Sequence, residues 1–195
     1  PILGNVKWGQ DTPYNDLCPT VGGERSVTGC VATAISQIMY VHKYPTKGTG
    51  SKTYTSESNN LKLSVNFGAT TYDWDNMLPY YYNNYNSTQA NAVATLMYHV
   101  GVAADMDYDP DGSGAYSLLT PSYIARGDRD IPYALKKHFR YSSAFGRFKS
   151  DYSDAIWKTL IKEELDKGRP ILYSGEDVSA GGHGFICDGY DNNDK

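Results

Sequence analysis

Residues 27–38 read VTGCVATAISQI, with a glycine and a cysteine standing directly before a helical pattern. Val31, Ile35, Ile38, Met39 and His42 recur at one helical face, which predicts a helix over 30–43. Ala32, Thr33, Ala34 and Ser36 are small and let other elements approach closely. Tyr44-Pro45 stops the helix. Cys30 therefore falls in a first helical turn, where free N–H groups and the dipole favour a thiolate. Three readings are open for it: a buried small hydrophobe, half of a disulfide, or a nucleophile.

The rest of the chain reads as helices first and strands last. Residues 1–29 carry turn chemistry in Asp11-Thr12-Pro13-Tyr14-Asn15 and Val21-Gly22-Gly23. Residues 46–72 are polar, with Leu61, Leu63, Val65 and Phe67 alternating as in extended segments or a weak hairpin. After a Tyr/Asn-rich connection, a helix is expected over 88–100, capped by Ser87 and stopped by Gly101. A loop with acids and glycines follows to about 128, then a short helix over 131–139. A further helix over 154–167 has Ser153 as its cap and Ile156, Trp157, Leu160, Ile161 and Leu165 as its core face. Two strand patterns close the chain, Ile171-Leu172-Tyr173 and Gly184-Phe185-Ile186-Cys187. This order predicts an α+β protein with segregated lobes, approximately 1–130 mostly helical and 131–195 the start of a sheet lobe.

Composition excludes several classes. A net charge of −4 is too mild to argue for nucleic acid or an anionic membrane as partner. No run of about 18 apolar residues exists to span a bilayer. Cys18, Cys30 and Cys187 are odd in number, so at least one thiol is free or pairs outside the chain, and their spacing matches no common zinc pattern. Asp107-Tyr108-Asp109-Pro110-Asp111-Gly112 matches the start of a calcium loop, but Leu118 stands where the bidentate Glu belongs. No metal and no cofactor is expected.

A thiolate nucleophile needs a base. His42, His99 and His138 read as helix-terminal or packing residues. His183 differs, because Gly181, Gly182 and Gly184 flank it at the entrance of a strand and leave room for a ligand backbone. Cys30 before a helix and His183 on a strand, 153 residues on, is the arrangement expected of a two-lobed cysteine peptidase.

Gly29-Cys30-Val31-Ala32-Thr33-Ala34, Gln37-Ile38-Met39, His42, Tyr44-Pro45 and Gly181-Gly182-His183 resemble the streptopain family of secreted bacterial cysteine peptidases. Gln10 with Pro13-Tyr14-Asn15, Trp74 with Leu78-Pro79, and Asp105-Met106-Asp107-Tyr108 extend the resemblance over essentially the whole chain. It implies a papain-like fold, Cys30 as nucleophile, His183 as general base and Gln10 as oxyanion donor. It implies Gly182 and the Ser113-Gly114 region as substrate-binding positions, and no disulfide for Cys18 or Cys187. It also implies a secreted virulence factor made as a zymogen, an N-terminal pro-segment as inhibitor, and protein or peptide substrates. Family members continue into a Trp- and Gly-rich segment beyond the end of this chain. A C-terminal fragment of the same precursor is therefore a further expected partner. Two rival readings are a catalytically silent binding or adhesion module and a thiol acyltransferase.

Overall fold

The computed structural model describes residues 1–119 and 130–193. Residues 120–129 of the expected acidic loop, and Asp194-Lys195, lie outside them. The architecture is α+β. The N-terminal segment carries a short pair, β1 (Thr20–Val21) and β2 (Glu24–Arg25), where only loop was expected. Gly22 and Gly23, both at positive φ, make the turn between them.

Helix α1 spans Cys30–His42, and Val31, Ala32, Ile35 and Met39 are buried along it. It ends at Lys43, in the left-handed region, where the backbone N–H returns to the Met39 and Tyr40 carbonyls. Strands β3 (Ser51–Thr55) and β4 (Lys62–Asn66) pair antiparallel, with Leu63 and Val65 turned inward and their neighbours out. The alternation seen in the sequence is thus a true hairpin.

Helix α2 spans Ser87–Ala103, so it starts at its expected cap, one residue earlier than expected, and runs past its expected stop. Asn86, not Ser87, is the cap: its side chain accepts from Gln89 N–H while the Gln89 side chain accepts from Asn86 N–H. Gly101 lies inside the helix because a Cβ there would overlap the Tyr108 hydroxyl. It is a packing glycine rather than a terminator. Val93, Leu96, Met97, Val100 and Val102 bury the helix in the core, each contributing about 1.5–3 kcal/mol.

Helix α3 spans Ile131–His138, capped by the Asp130 side chain, which accepts from Tyr133 N–H at 3.0 Å. Helix α4 spans Asp154–Asp166 and is capped by Ser153, as expected. Its apolar stripe departs from expectation. Only Leu165 is buried, and Ile156 is 53% exposed. Among the described residues it meets a sheet of two strands. Strands β5 (Ile171–Asp177) and β6 (Gly181–Cys187) pair antiparallel and cover little of a 13-residue helix. Trp157 Nε1 donates to the Tyr173 hydroxyl on β5 at 2.8 Å. No helix among the described residues is long and apolar enough to cross a membrane.

Two histidines lie inside the helical part. His99, mid-helix in α2 rather than at its end, is hydrogen-bonded to the Tyr72 hydroxyl through Nδ1 at 3.0 Å. His138 stacks on Phe67 at 4.3 Å and donates from Nδ1 to the Thr49 carbonyl at 3.1 Å. Burial pushes the His99 imidazole down to about 4 and lowers His138 as well. Both are held neutral by the fold, so their contribution is present above the unfolded value near 6.5 and is lost as pH falls below it. We expect the unfolding free energy from urea titration to drop between pH 6.5 and 4 by about 2–3 kcal/mol from His99 alone. His99→Gln should remove that part of the slope, and an unchanged slope in the variant would refute the assignment.

Candidate active site

Gly29 is the last residue before α1, at φ 86°, and no side chain caps the helix start. The first helical hydrogen bond runs from Thr33 N–H to the Gly29 carbonyl at 3.0 Å. The Thr33 hydroxyl also donates to that carbonyl and meets the Thr28 hydroxyl at 2.7 Å. These contacts fix the turn that delivers Cys30. They leave N–H groups of the first turn beside the Cys30 thiol without a capping side chain.

The turn is braced from behind. A Cβ on Gly29 would stand 2.7 Å from the Met106 Sδ and Cε and 2.9 Å from the Ser113 carbonyl oxygen. Ser113 Oγ donates to the Val27 carbonyl at 2.7 Å and accepts from Asp109 N–H at 3.0 Å. The Ser113 side chain is thus buried and occupied. Gly114 pairs with Asp107 through both its N–H and its C=O, and a Cβ on it would meet only open space. Asp107 and Asp109, the candidate calcium residues, accept from the β3–β4 turn: Ser58 N–H and hydroxyl reach Asp107, and Asn59 Nδ2 reaches Asp109.

Strand β6 closes on the helix start. Gly184 is buried between Val31 and Leu172, and a Cβ there would stand 3.2 Å from Val31 Cγ2. This approach brings Gly184 N–H within 3.3 Å of Cys30 Sγ. His183 and Phe185 flank Gly184 with rings stacked at 6.2 Å. They stand on the opposite face of the strand from Gly184, as strand alternation requires. Among the described residues the Cys30 thiol makes its hydrogen bond with Gly184 N–H rather than with the His183 ring. His183 is exposed and pairs across the sheet with Gly175, while Gly182 pairs with Glu176 and is also exposed.

Gln10 is tied to the same region, its carbonyl accepting from Thr28 N–H at 3.1 Å. Gln37, one face of α1 away, accepts Trp8 N–H at 3.2 Å and holds the strap that leads to Gln10. The other thiols are set apart. Cys18 is buried and pushed up to about 12 by desolvation, and Cys187 is raised by burial. All three cysteines are free.

Sequence reasoning missed Gly184 and Met106. Gly184 was visible as the third glycine around His183, but its closeness to Val31 is a contact between residues far apart in the chain. Met106 gave no local signal, because its partner is a glycine on a distant turn.

A helix carrying a cysteine at its start, packed on an antiparallel strand that carries a histidine, is the papain-like arrangement of cysteine peptidases. The chain belongs to the peptidase C10 family, whose model matches residues 8–195. It is 34% identical over 203 residues to streptopain of Streptococcus pyogenes, covering 95% of this chain and 48% of that protein. It is 34% identical to the thiol protease/hemagglutinin PrtT of Porphyromonas gingivalis, covering 98% of this chain and 20% of that one. Active interpain A of Prevotella intermedia superposes with a TM-score of 0.84 at 39% identity, over 95% of this chain and 75% of that one. A prointerpain A fragment superposes at 0.82 and 40% identity, over 95% and 56%. The chain thus spans about half the length of streptopain.

The brace behind Gly29 predicts a sharp contrast between two glycines. Gly29→Ala should cost at least about 2 kcal/mol, through both the positive φ and the clash with Met106 and Ser113. Gly114→Ala should change stability by less than about 0.5 kcal/mol. Urea unfolding of the two variants checks this, and equal losses would mean the brace is misread.

Proposed function

We propose that this chain is the catalytic part of a secreted bacterial cysteine endopeptidase, made as a zymogen. The observation that carries the reading is the contact of Gly184 N–H with Cys30 Sγ. It sets the strand bearing His183 against the helix start bearing the only half-exposed thiol near an uncapped helix end. Family membership supports the same chemistry, and the prointerpain A fragment supports an N-terminal pro-segment as inhibitor.

In this reading His183 lies one residue from Gly184, whose N–H meets Cys30 Sγ, and serves as the general base. His183 takes the Cys30 proton, and the thiolate attacks the peptide carbonyl carbon. The carbonyl electron pair moves onto oxygen, where the Cys30 N–H and the Gln10 side-chain amide hold the charge. As the C–N bond breaks, His183 gives its proton to the leaving amine. A thioester remains on Cys30. Water then attacks it, losing a proton to His183, and the acid leaves as the thiol is restored. Gly182, exposed on β6, and the open face at Gly114 beside Ser113 would border the substrate backbone, which suits an extended peptide.

Cys30→Ala and His183→Ala should each lower casein hydrolysis by more than about 1000-fold while the protein stays folded. Gln10→Ala should lower kcat by about 100-fold with little change in KM. Full activity in the Cys30 variant would sink the proposal. Cross-linked product without new N-termini would assign the same pair to an acyltransferase, and no preferential alkylation of Cys30 over Cys18 and Cys187 would indicate a silent binding module.

A further inference from the structure

Residues 76–104 contain no Asp, Glu, Lys or Arg, yet part of this stretch is surface. Its exposed side chains are tyrosines and small neutral amides and hydroxyls. Tyr80 is 37% and Tyr82 68% exposed, with ring centroids 5.5 Å apart and planes tilted by 36°. The loop that carries them is fixed from within. Tyr81, between them, is buried, and its hydroxyl accepts from Leu78 N–H at 2.9 Å and donates to the Gln89 carbonyl at 3.1 Å. Asn84 Oδ1 accepts from Tyr82 N–H at 2.9 Å. The Asn86–Gln89 box then locks the entry into α2. Two aromatic faces are therefore presented on a segment that has little left to order on binding.

The start of α2 also borders a cleft. With residues 71–73 it encloses about 210 Å³, floored by the buried Tyr72 and Ala92 and walled by Thr71, Asp73, Thr88, Asn91 and Thr95. Among the described residues the side chains of Thr71, Thr88, Asn91 and Thr95 make no hydrogen bond. Asp73 holds Asn76 through one carboxylate oxygen, at 2.8 Å. The cleft thus offers several donors and acceptors with a single negative charge, and a volume suited to one sugar ring.

These features select a ligand chemistry. An anionic polymer would need Lys or Arg, and residues 76–104 have none. An amphipathic peptide would need an apolar groove, and the cleft walls are polar. A neutral sugar has both properties required. Its hydroxyls match amide, carboxylate and hydroxyl partners, and its C–H faces pack on aromatic rings. The place is also remote from the thiol. Asp75 pairs with Lys43, the residue ending α1, at 3.1 Å, and Asp73 stands two residues before it. Cys30 begins the same helix, which is 13 residues and about 20 Å long.

We propose that Tyr80, Tyr82 and the cleft at the start of α2 form a binding site for a neutral glycan, separate from the site around Cys30. The site would hold a neutral polysaccharide while the chemistry proposed at Cys30 proceeds elsewhere.

The test is affinity electrophoresis of the protein through native gels containing mannan, dextran, galactan or xylan, with heparin as the charged control. At least one neutral polysaccharide should retard the protein, and its free oligosaccharide should reverse the effect. Tyr82→Ala and Asn91→Ala should each weaken retardation at least roughly fivefold. Both exposed changes should leave the circular dichroism and hydrolysis of a short peptide unchanged. The proposal is overturned if no neutral polysaccharide retards the protein, if only heparin does, or if retardation survives both substitutions.

Discussion

The close approach of β6 to the first turn of α1 is the contact on which the rest of the structure depends. It exists because Gly184 has no side chain. A Cβ there would press on Val31 Cγ2 at 3.2 Å, and the strand would have to withdraw. Withdrawal would carry Gly184 N–H off Cys30 Sγ and His183 away from the helix start. A two-stranded sheet cannot supply this position by itself, since a lone hairpin is marginally stable in water. The helical part provides the rigid surface against which it is set.

That rigidity has two sources. One is the apolar burial of α2, whose inner face is fully enclosed. The other is a set of polar ties that fix loops rather than helices. Ser113 joins the Asp109 loop to Val27, the Thr28–Thr33 pair holds the turn at Gly29, and Gln37 holds the N-terminal strap at Trp8. Lys52 and Asp105, largely buried and 2.6 Å apart, pin the end of α2 just before Met106 reaches Gly29. All of these ties but the local Thr28–Thr33 pair join segments distant in sequence, so the turn at Cys30 is shaped by much of the helical part. The two histidines show the cost of this packing: desolvation keeps them neutral, and the Lys52 and Lys137 charges add to it at His138.

Much was legible along the chain. The helix from Cys30, the hairpin of Leu63 and Val65, and the Ser153 cap follow from short-range periodicity and local hydrogen bonding, which need no distant partner. Errors arose where a distant partner decides. Gly101 reads as a stop until Tyr108 is seen filling its space. The stripe of α4 reads as a core face, but the two described strands beside it leave Ile156 exposed. For Ser113, a substrate-binding position that the resemblance implies, the structure adds that its hydroxyl bonds Val27 and Asp109.

The sequence by itself determined which groups are available and on what elements. It placed a cysteine at a helix start and a histidine among glycines on a strand, with Gln10 in an early loop. Those assignments rest on local backbone preference, which twelve or so residues can express. Tertiary structure alone decided that Gly184 is the point of contact, that Gln10 is tied to Thr28, and that Cys18 is buried while Cys30 stays reachable. The physical reason is that steric fit and desolvation are properties of surfaces brought together from far along the chain, and no local pattern records them.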